Sequence, residues 1–230
     1  MVKKRISRAR KRDLEQPDEF ITFWTRLIQF ASENKTLLSS AFGFIVAFVI
    51  VVTGVVYYLK KTENKALVLL QQATYKYQTV AESKGPHEDY LDVDKDFQLI
   101  LGKYASRNGG KLARFVYANI CYNANDYDKA IDLYNKSIVD FSDEPFLKNI
   151  VLNGLGYAYK NKKDFSTAAK FFEMIVSEPD AVMKDEALFN LGGLYAKMGL
   201  YDKSKDAFNK ILSDHADSIY IEIVKEKLNG

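Results

Sequence analysis

The sequence is poor in the residues that build cross-linked domains and metal sites: it has one cysteine, two histidines and four prolines in 230 residues. A single cysteine, Cys121, cannot form a disulfide within the chain. Neither His87 nor His215 has a second histidine or a cysteine at the spacing of a metal site. These scarcities argue against a disulfide-stabilised domain and against a zinc site built on the histidines.

Catalytic motifs are also scarce. His215 follows Ser213 and Asp214, but neighbours in sequence do not make a catalytic triad, because catalytic geometry comes from the fold. The pairs Gly109-Gly110 and Gly192-Gly193 lack the strand or Lys-Ser/Thr context of a phosphate-binding loop, and we interpret them as a turn and a helix contact. We place His87 in a loop. We therefore expect neither enzymatic activity nor a cofactor.

What the sequence does have is an uncharged run at 37–59, which is 23 residues long and bracketed by Lys35 and Lys60-Lys61. As a helix it would span about 35 Å, which is enough for a hydrocarbon core of about 30 Å. The apolar region of a cleaved signal peptide is about 7–15 residues and ends at small residues. This run is longer and ends at Tyr57-Tyr58, so we predict a single transmembrane helix.

Charge indicates the orientation of the predicted span. The first twelve residues carry seven basic side chains and no acid, which favours a cytoplasmic N-terminus. Residues 62–230 hold 22 basic and 25 acidic residues, a balance that suits export. The nearest flanks are less decisive, because Arg26 and Lys35 precede the span and three lysines follow it. We expect an inner (cell) membrane protein with its C-terminal part outside the cytoplasm.

The segment 1–36 combines the basic tail with an aromatic helix. Clusters of lysine and arginine also bind RNA, but no aromatic residue interleaves this one, so we favour a topogenic and lipid-binding role and expect no nucleic acid partner. Pro17-Asp18-Glu19 predicts a helix start. Its apolar face would lie in the headgroup zone or pack on another membrane protein. The face is formed by Phe20, Trp24, Leu27, Ile28 and Ala31, with Phe23 and Phe30 nearby.

Beyond the span the sequence repeats itself. The blocks 119–138, 157–176 and 193–212 align, with the small residues Ala118, Gly156 and Gly192 spaced by 38 and 36 positions. Aromatics recur in the same register, at Tyr134, Phe172 and Phe208 and at Tyr127, Phe165 and Tyr201. The blocks resemble the tetratricopeptide repeat, a helical hairpin of about 34 residues. In such a unit a small residue on one helix lets the other approach, and an aromatic fills the space between repeats.

The fold class that we predict is all-α, with a single transmembrane helix followed by a tetratricopeptide-like solenoid of helical hairpins over 62–230. A degenerate first repeat would occupy 62–108, with a turn at 84–87 and a helix over 90–106. Regular repeats would occupy about 111–144, 149–182 and 185–216, and a capping helix 217–228 with Ile219, Ile223 and Leu228. The first regular repeat departs from the pattern, because Arg114 replaces a large aromatic and Cys121 a tyrosine.

The whole arrangement resembles a family of membrane-anchored tetratricopeptide-like proteins. A short N-terminal stretch, one span near residue 40 and a helix starting at Glu63-Asn-Lys-Ala-Leu lead into the repeats, as in the ancillary subunits of the SecYEG translocon and the related repeat domain of a cell-division coordinator. The basic tail is longer here, and the aromatic helix is an addition. The resemblance implies a periplasmic repeat domain that contacts translocon subunits, chaperones or exported chains.

We therefore expect a non-catalytic adaptor that assists secretion through protein–protein interactions. Two alternatives remain: an envelope scaffold for cell division or complex assembly, and a non-catalytic subunit of a membrane enzyme. Binding would use the concave face of the stacked repeats. The predicted residues on it are Phe115, Asn119, Tyr122, Asn153, Tyr157, Lys160, Phe189 and Lys197, although several of them could instead pack on a neighbouring repeat.

One known mode of binding does not fit this concave face. The two-carboxylate clamp of chaperone-binding tetratricopeptide domains needs a lysine where Phe115 stands and an asparagine where Gly154 stands. We therefore do not expect capture of a C-terminal carboxylate.

Overall fold

The computed structural model describes residues 19–84, 86–179 and 181–229. In these residues apolar side chains recur every three or four positions, and the chain folds into helices separated by short polar turns. The side chains of 19–21 and 80–89 are outside this description, as are the basic tail, Pro17 and Asp18. The helices are α1 Glu19–Glu33, α2 Lys35–Lys84, α3 Pro86–Tyr104, α4 Asn108–Asn123, α5 Tyr127–Asp140, α6 Pro145–Asn161, α7 Phe165–Ser177, α8 Lys184–Lys197, α9 Tyr201–Asp214 and α10 Ile221–Asn229. The all-α prediction is confirmed.

The chain divides into two units, residues 1–59 and 60–230. The first contains α1 and the apolar part of α2. Within the described residues, α2 is the one helix that is long and apolar enough to cross a membrane. The most apolar part of this helix is not buried against the rest of the protein. This helix contains the uncharged run at 37–59 that the sequence predicts to be a span.

The second unit is built from helical hairpins in chain order. α4 packs on α5, α6 on α7 and α8 on α9, and each hairpin packs on the next. The small residues lie where the pattern places them: a Cβ added at Gly156 would be 2.6 Å from Cζ of Phe172, and Gly192 faces Phe208 in the same way. Ala118 and Tyr134 are both buried at the corresponding positions of the first hairpin. The predicted repeat register is confirmed at these contacts.

The turns inside the hairpins repeat as well. Asn125, Lys163 and Gly199 each adopt a left-handed backbone, with φ of 63°, 64° and 74°. In the first two hairpins an aspartate follows and caps the next helix, where Asp126 accepts a hydrogen bond from the Lys129 N–H and Asp164 from the Thr167 N–H. In the third hairpin a leucine, Leu200, stands at this position and cannot accept one.

The upstream hairpin consists of α2 beyond Lys60 together with α3. Ala66 and Ala73 of α2 are buried, and Nζ of Lys76 lies 2.8 Å from Asp96 of α3. The structure corrects the predicted bounds, because α3 begins at Pro86 instead of residue 90 and ends at Tyr104. Proline suits the first helical position, where its missing N–H has no partner to lose. The predicted loop position of His87 is therefore wrong, since its backbone is helical.

Gly109 and Gly110 were predicted to form a turn, and this is also wrong: they belong to the first turn of α4. The N–H groups of Asn108 and Gly109 donate to the two carboxylate oxygens of Glu63, at 3.0 and 2.7 Å. A Cβ at Gly109 would lie 2.8 Å from the backbone nitrogen of Leu67. Glycine is required here because the start of α4 lies against the backbone of α2.

Arg114 interrupts the aromatic pattern of the first regular repeat. It forms an ion pair with Asp140 at the end of α5, and both side chains are largely buried. The aromatic that the repeat pattern expects is thus replaced by a charge pair within the same hairpin.

The C-terminal helix starts later than predicted, at Ile221 instead of residue 217. Ser218 explains the delay, because its Oγ donates to Asp185 at 2.7 Å and accepts from the Tyr220 N–H at 3.2 Å, which holds the backbone in a turn. The predicted apolar face changes accordingly. Ile219 is 86% exposed and Ile223 is half exposed, whereas Val224 is fully buried.

Candidate protein-binding groove

A groove of about 350 Å³ opens between the first two regular hairpins. Its walls come from α4 and α6, the first helices of these hairpins, and one residue comes from α5. Five of the eight predicted concave-face residues line it. The lining residues are Phe115, Asn119, Tyr122, Asn123, Tyr134, Ile150, Asn153, Gly154 and Tyr157.

Tyr134 and Gly154 form the floor of the groove. The ring of Tyr134 reaches from α5 under α6, and a Cβ added at Gly154 would lie 2.7 Å from that ring. The Tyr134 hydroxyl donates to Oδ1 of Asn119, and Phe115 packs with its ring centre 6.2 Å from that of Tyr134. From the sequence, Tyr134 was expected only to fill the space between repeats. Its role in the groove depends on how α5 and α6 meet, which no local pattern encodes.

The groove is uncharged and rich in amides. Of its nine lining residues, three are asparagines and three are tyrosines, and none is acidic or basic. Asn153 is 8% exposed, and its Nδ2 donates to Glu186 at 3.1 Å. Its buried Oδ1 has no hydrogen-bond partner among the described residues. Such a group costs about 1–3 kcal/mol, which a donor brought by a ligand or by water would offset.

Tyr122 stands at the rim of the groove. Its hydroxyl accepts a hydrogen bond from Nδ2 of Asn161 at 2.8 Å, and its ring packs 5.7 Å from that of Tyr127. Burial raises the pKa of the Tyr122 hydroxyl. The neighbouring Asn123 is exposed. The rim is therefore an oriented aromatic ring beside an accessible amide.

Tyr157 belongs both to the groove and to a polar cluster between α6 and α8. Its hydroxyl donates to Glu186 at 2.7 Å and accepts from Asn190 at 3.0 Å. Burial is the main cause that raises the pKa of Tyr157, and the hydrogen bond to Glu186 raises it further. Nζ of Lys160 lies 5.0 Å from the Tyr157 ring centre and donates to Oδ1 of Asn190 at 2.7 Å. Burial is the main cause that lowers the pKa of Lys160, and the positive charge of Lys197 lowers it further.

In this cluster the polar groups of two predicted binding residues form hydrogen bonds within the protein. Tyr157 and Lys160 connect the second regular hairpin to the third through these hydrogen bonds. Glu186 and Asn190 were not predicted. The sequence feature that could have indicated them is their spacing, because two polar residues four positions apart lie on the same inward side of a helix.

The last two predicted residues lie outside the groove. The ring of Phe189 stacks on that of Tyr220 with centres 4.5 Å apart, and it fills the space before α10. Lys197 is exposed, with its Nζ 5.2 Å from the ring centre of Phe165. The structure thus brings five predicted residues together. Of the other three, Lys160 and Lys197 contact residues of a neighbouring hairpin, and Phe189 contacts the segment before α10.

Other recesses carry less of the predicted surface. One of about 440 Å³ lies between the start of α8 and the segment before α10 and contains Asp185, Glu186 and Asp217. Another of about 300 Å³ is lined by residues of α7, α8 and α9. In the part of the chain that the structure describes, no group of three or more histidine, cysteine or acidic side chains could hold a metal ion. The groove remains the best candidate, because it combines predicted residues with an unpaired buried acceptor.

Comparison with known proteins agrees with the all-α architecture of sequential hairpins. The model of the tetratricopeptide repeat-like domain matches residues 29–230, which is most of the chain. A search of curated proteins found no match. Domains of this type bind proteins and are typically non-catalytic. With its successive hairpins and its small-to-aromatic contacts, the chain belongs to the tetratricopeptide repeat-like domain family.

Proposed function

We propose that this protein is a non-catalytic adaptor, anchored to the cell membrane by the 37–59 segment, which binds protein partners in the groove between α4 and α6. The observation that carries the proposal is the groove itself, an aromatic, uncharged recess in a repeat domain. The buried Oδ1 of Asn153 in this recess has no donor among the residues that the structure describes.

The chemistry of the groove favours a peptide segment with an apolar side chain. Tyrosine and phenylalanine rings offer contact area for that side chain, and amide groups suit main-chain N–H and C=O groups. An N–H placed against Oδ1 of Asn153 would satisfy the acceptor. Because no formal charge lines the recess, binding within it should depend weakly on salt.

Charge supports an extracytoplasmic position for the repeats. The tail is strongly basic and residues 62–230 are mildly acidic, which favours a cytoplasmic N-terminus and a periplasmic repeat unit. In that position the partners that we propose are translocon subunits, periplasmic chaperones or exported chains, and the task is to assist secretion. The alternatives are an envelope scaffold for cell division or complex assembly and a subunit of a membrane enzyme.

Site-specific photo-crosslinking in cells tests the proposal. A photo-reactive amino acid replaces Asn123, which is exposed at the rim of the groove, and a control replaces Lys170, which is exposed on α7. We expect crosslinks from position 123 to translocon subunits or exported chains, and none of these from position 170.

Each rival predicts a different product. Crosslinks to division or wall-synthesis proteins would support the scaffold, and a single stoichiometric enzyme would support the subunit alternative. Identical products from positions 123 and 170 would contradict recognition in the groove.

A further inference from the structure

We propose that α1 lies along the membrane surface on the side of the basic tail, with its aromatic face in the headgroup and upper acyl region. The inference rests on the membrane anchor of the proposed function. It adds a second, lateral contact with lipid, whose occupant is an anionic bilayer surface.

The apolar face of α1 is uncovered. Phe23, Trp24, Leu27, Ile28 and Phe30 are each between 44% and 66% exposed. In a helix these positions fall on one side, and the opposite side carries Arg26, Gln29, Ser32 and Glu33. On the polar side, Nε2 of Gln29 donates to Oε1 of Glu33 at 3.0 Å. A helix with one aromatic face and one polar face is typical of an interfacial helix.

The position of α1 in the chain indicates what covers this face. The uncharged run begins at Leu37, only four residues beyond the end of α1 at Glu33. The last turn of α1 is therefore held at the boundary of the bilayer by the anchor. Tryptophan and other aromatic rings favour this boundary region. Seven basic residues in the first twelve add attraction to anionic headgroups on the same side.

A surface position for α1 requires the chain to change direction before the span, and the helix is interrupted at that point. Asn34 lies between α1 and α2, and both its backbone N–H and its Nδ2 donate to the carbonyl oxygen of Phe30, at 3.0 and 2.9 Å. A side chain that enters the backbone hydrogen-bond ladder is a common cause of helix bends. We place the bend between the surface helix and the membrane-spanning helix at Asn34, where the helix is broken.

Trp24 is the single tryptophan of the chain, so its fluorescence reports on α1 in the full-length protein. The protein is reconstituted into vesicles of phosphatidylcholine and phosphatidylglycerol that carry bromine either near the headgroup end or near the methyl end of the acyl chains. We expect Trp24 emission at short wavelength and stronger quenching by bromine near the headgroup, which corresponds to a depth of about 5–10 Å.

A matched variant, Trp24→Phe with Gln29→Trp, moves the tryptophan to the polar side of the same helix. We expect its emission at longer wavelength and weak quenching by either lipid. Equal quenching of the two proteins would overturn the inference. So would unquenched short-wavelength emission from Trp24, because a protein surface would then cover the face.

Extraction with alkaline carbonate separates this inference from the proposed anchor. If the protein resists extraction and Trp24 is not quenched, the surface position of α1 is wrong and the anchor stands. If carbonate removes the protein from the vesicles, the anchor fails and the inference fails with it.

Discussion

At the scale of single residues, two glycines on corresponding helices have opposite roles. A Cβ at Gly156 would lie 2.6 Å from the buried ring of Phe172, whereas a Cβ at Gly193 would meet no atom within 4 Å. Gly156→Ala should therefore lower the free energy of unfolding by about 1–3 kcal/mol through overpacking. Gly193→Ala should raise it by about 0.5–1 kcal/mol, because alanine favours a helix interior.

Urea denaturation of residues 60–230, followed by circular dichroism, measures both effects. The two variants add the same methyl group, so their difference isolates the packing against Phe172. Equal effects of the two substitutions would mean that α6 and α7 do not meet at Gly156, and the repeat register would be wrong.

Residue patterns predict which face a side chain occupies better than they predict its partners. Cys121, which takes the place of a tyrosine in the repeat pattern, is fully buried. Tyr157 and Lys160 were placed on the binding surface, but they hydrogen-bond to Glu186 and Asn190 of the next hairpin. These partners lie about 30 residues away, so they follow from the stacking of hairpins and not from local sequence.

At the scale of helices, the existence of each element was easier to predict than its ends. The apolar period placed α3 and α10 correctly in order, but both starts were shifted by four residues. The ends depend on capping chemistry: Pro86 allows α3 to begin early, and the hydrogen bonds of Ser218 delay α10. A hydrophobic period carries no information about these local bonds.

Glu63 joins two helices and gives an element-scale prediction. Its carboxylate caps the first turn of α4 through two backbone N–H groups. Glu63→Ala should lower the free energy of unfolding by about 1–2 kcal/mol, because both donors lose their partner and the helix dipole loses a negative charge. Glu63→Gln should cost less, since it keeps one acceptor oxygen.

The same denaturation measurement checks the order of these variants. Glu226→Ala, on the exposed side of α10, is the control and should change stability by no more than about 0.5 kcal/mol. A loss at Glu63 no larger than at Glu226 would contradict the capping role.

At the scale of the whole molecule, the repeat period was sufficient to predict the fold class and the order of hairpins. The groove was only partly predictable. Its rim residues Asn119 and Tyr122 follow from the inward face of α4, whereas its floor at Tyr134 and Gly154 requires the packing of α5 against α6. Sequence periodicity indicates which face of a helix points inward, but the distances between packed helices are known only from the assembled structure.

The side of the membrane on which the repeats lie can be tested with cysteine chemistry. Burial raises the pKa of the Cys121 thiol to about 12, so the native chain should not react with a maleimide at neutral pH. Lys205→Cys adds an exposed thiol on α9. We expect a membrane-impermeant maleimide to label this variant in spheroplasts and not the wild type.

Labelling of Lys205→Cys only after lysis of the inner membrane would place the repeats in the cytoplasm. Labelling of the wild type would instead contradict the burial of Cys121.

Recognition in the groove is tested by comparing partner capture by two double variants of the full-length chain. Tyr122→Ala with Asn123→Ala alters the rim of the groove. Tyr201→Ala with Asp202→Ala makes a similar change at an exposed position on α9. Partners are crosslinked in cells, purified with each variant and quantified by mass spectrometry, after melting curves show that both variants remain folded.

We expect the groove variant to lose partner capture by at least about tenfold, because an aromatic anchor at an interface contributes about 2 kcal/mol or more. The α9 variant should retain it. Binding in the groove is contradicted if the groove variant keeps all its partners while deletion of residues 1–59 abolishes them, because recognition would then belong to the first unit.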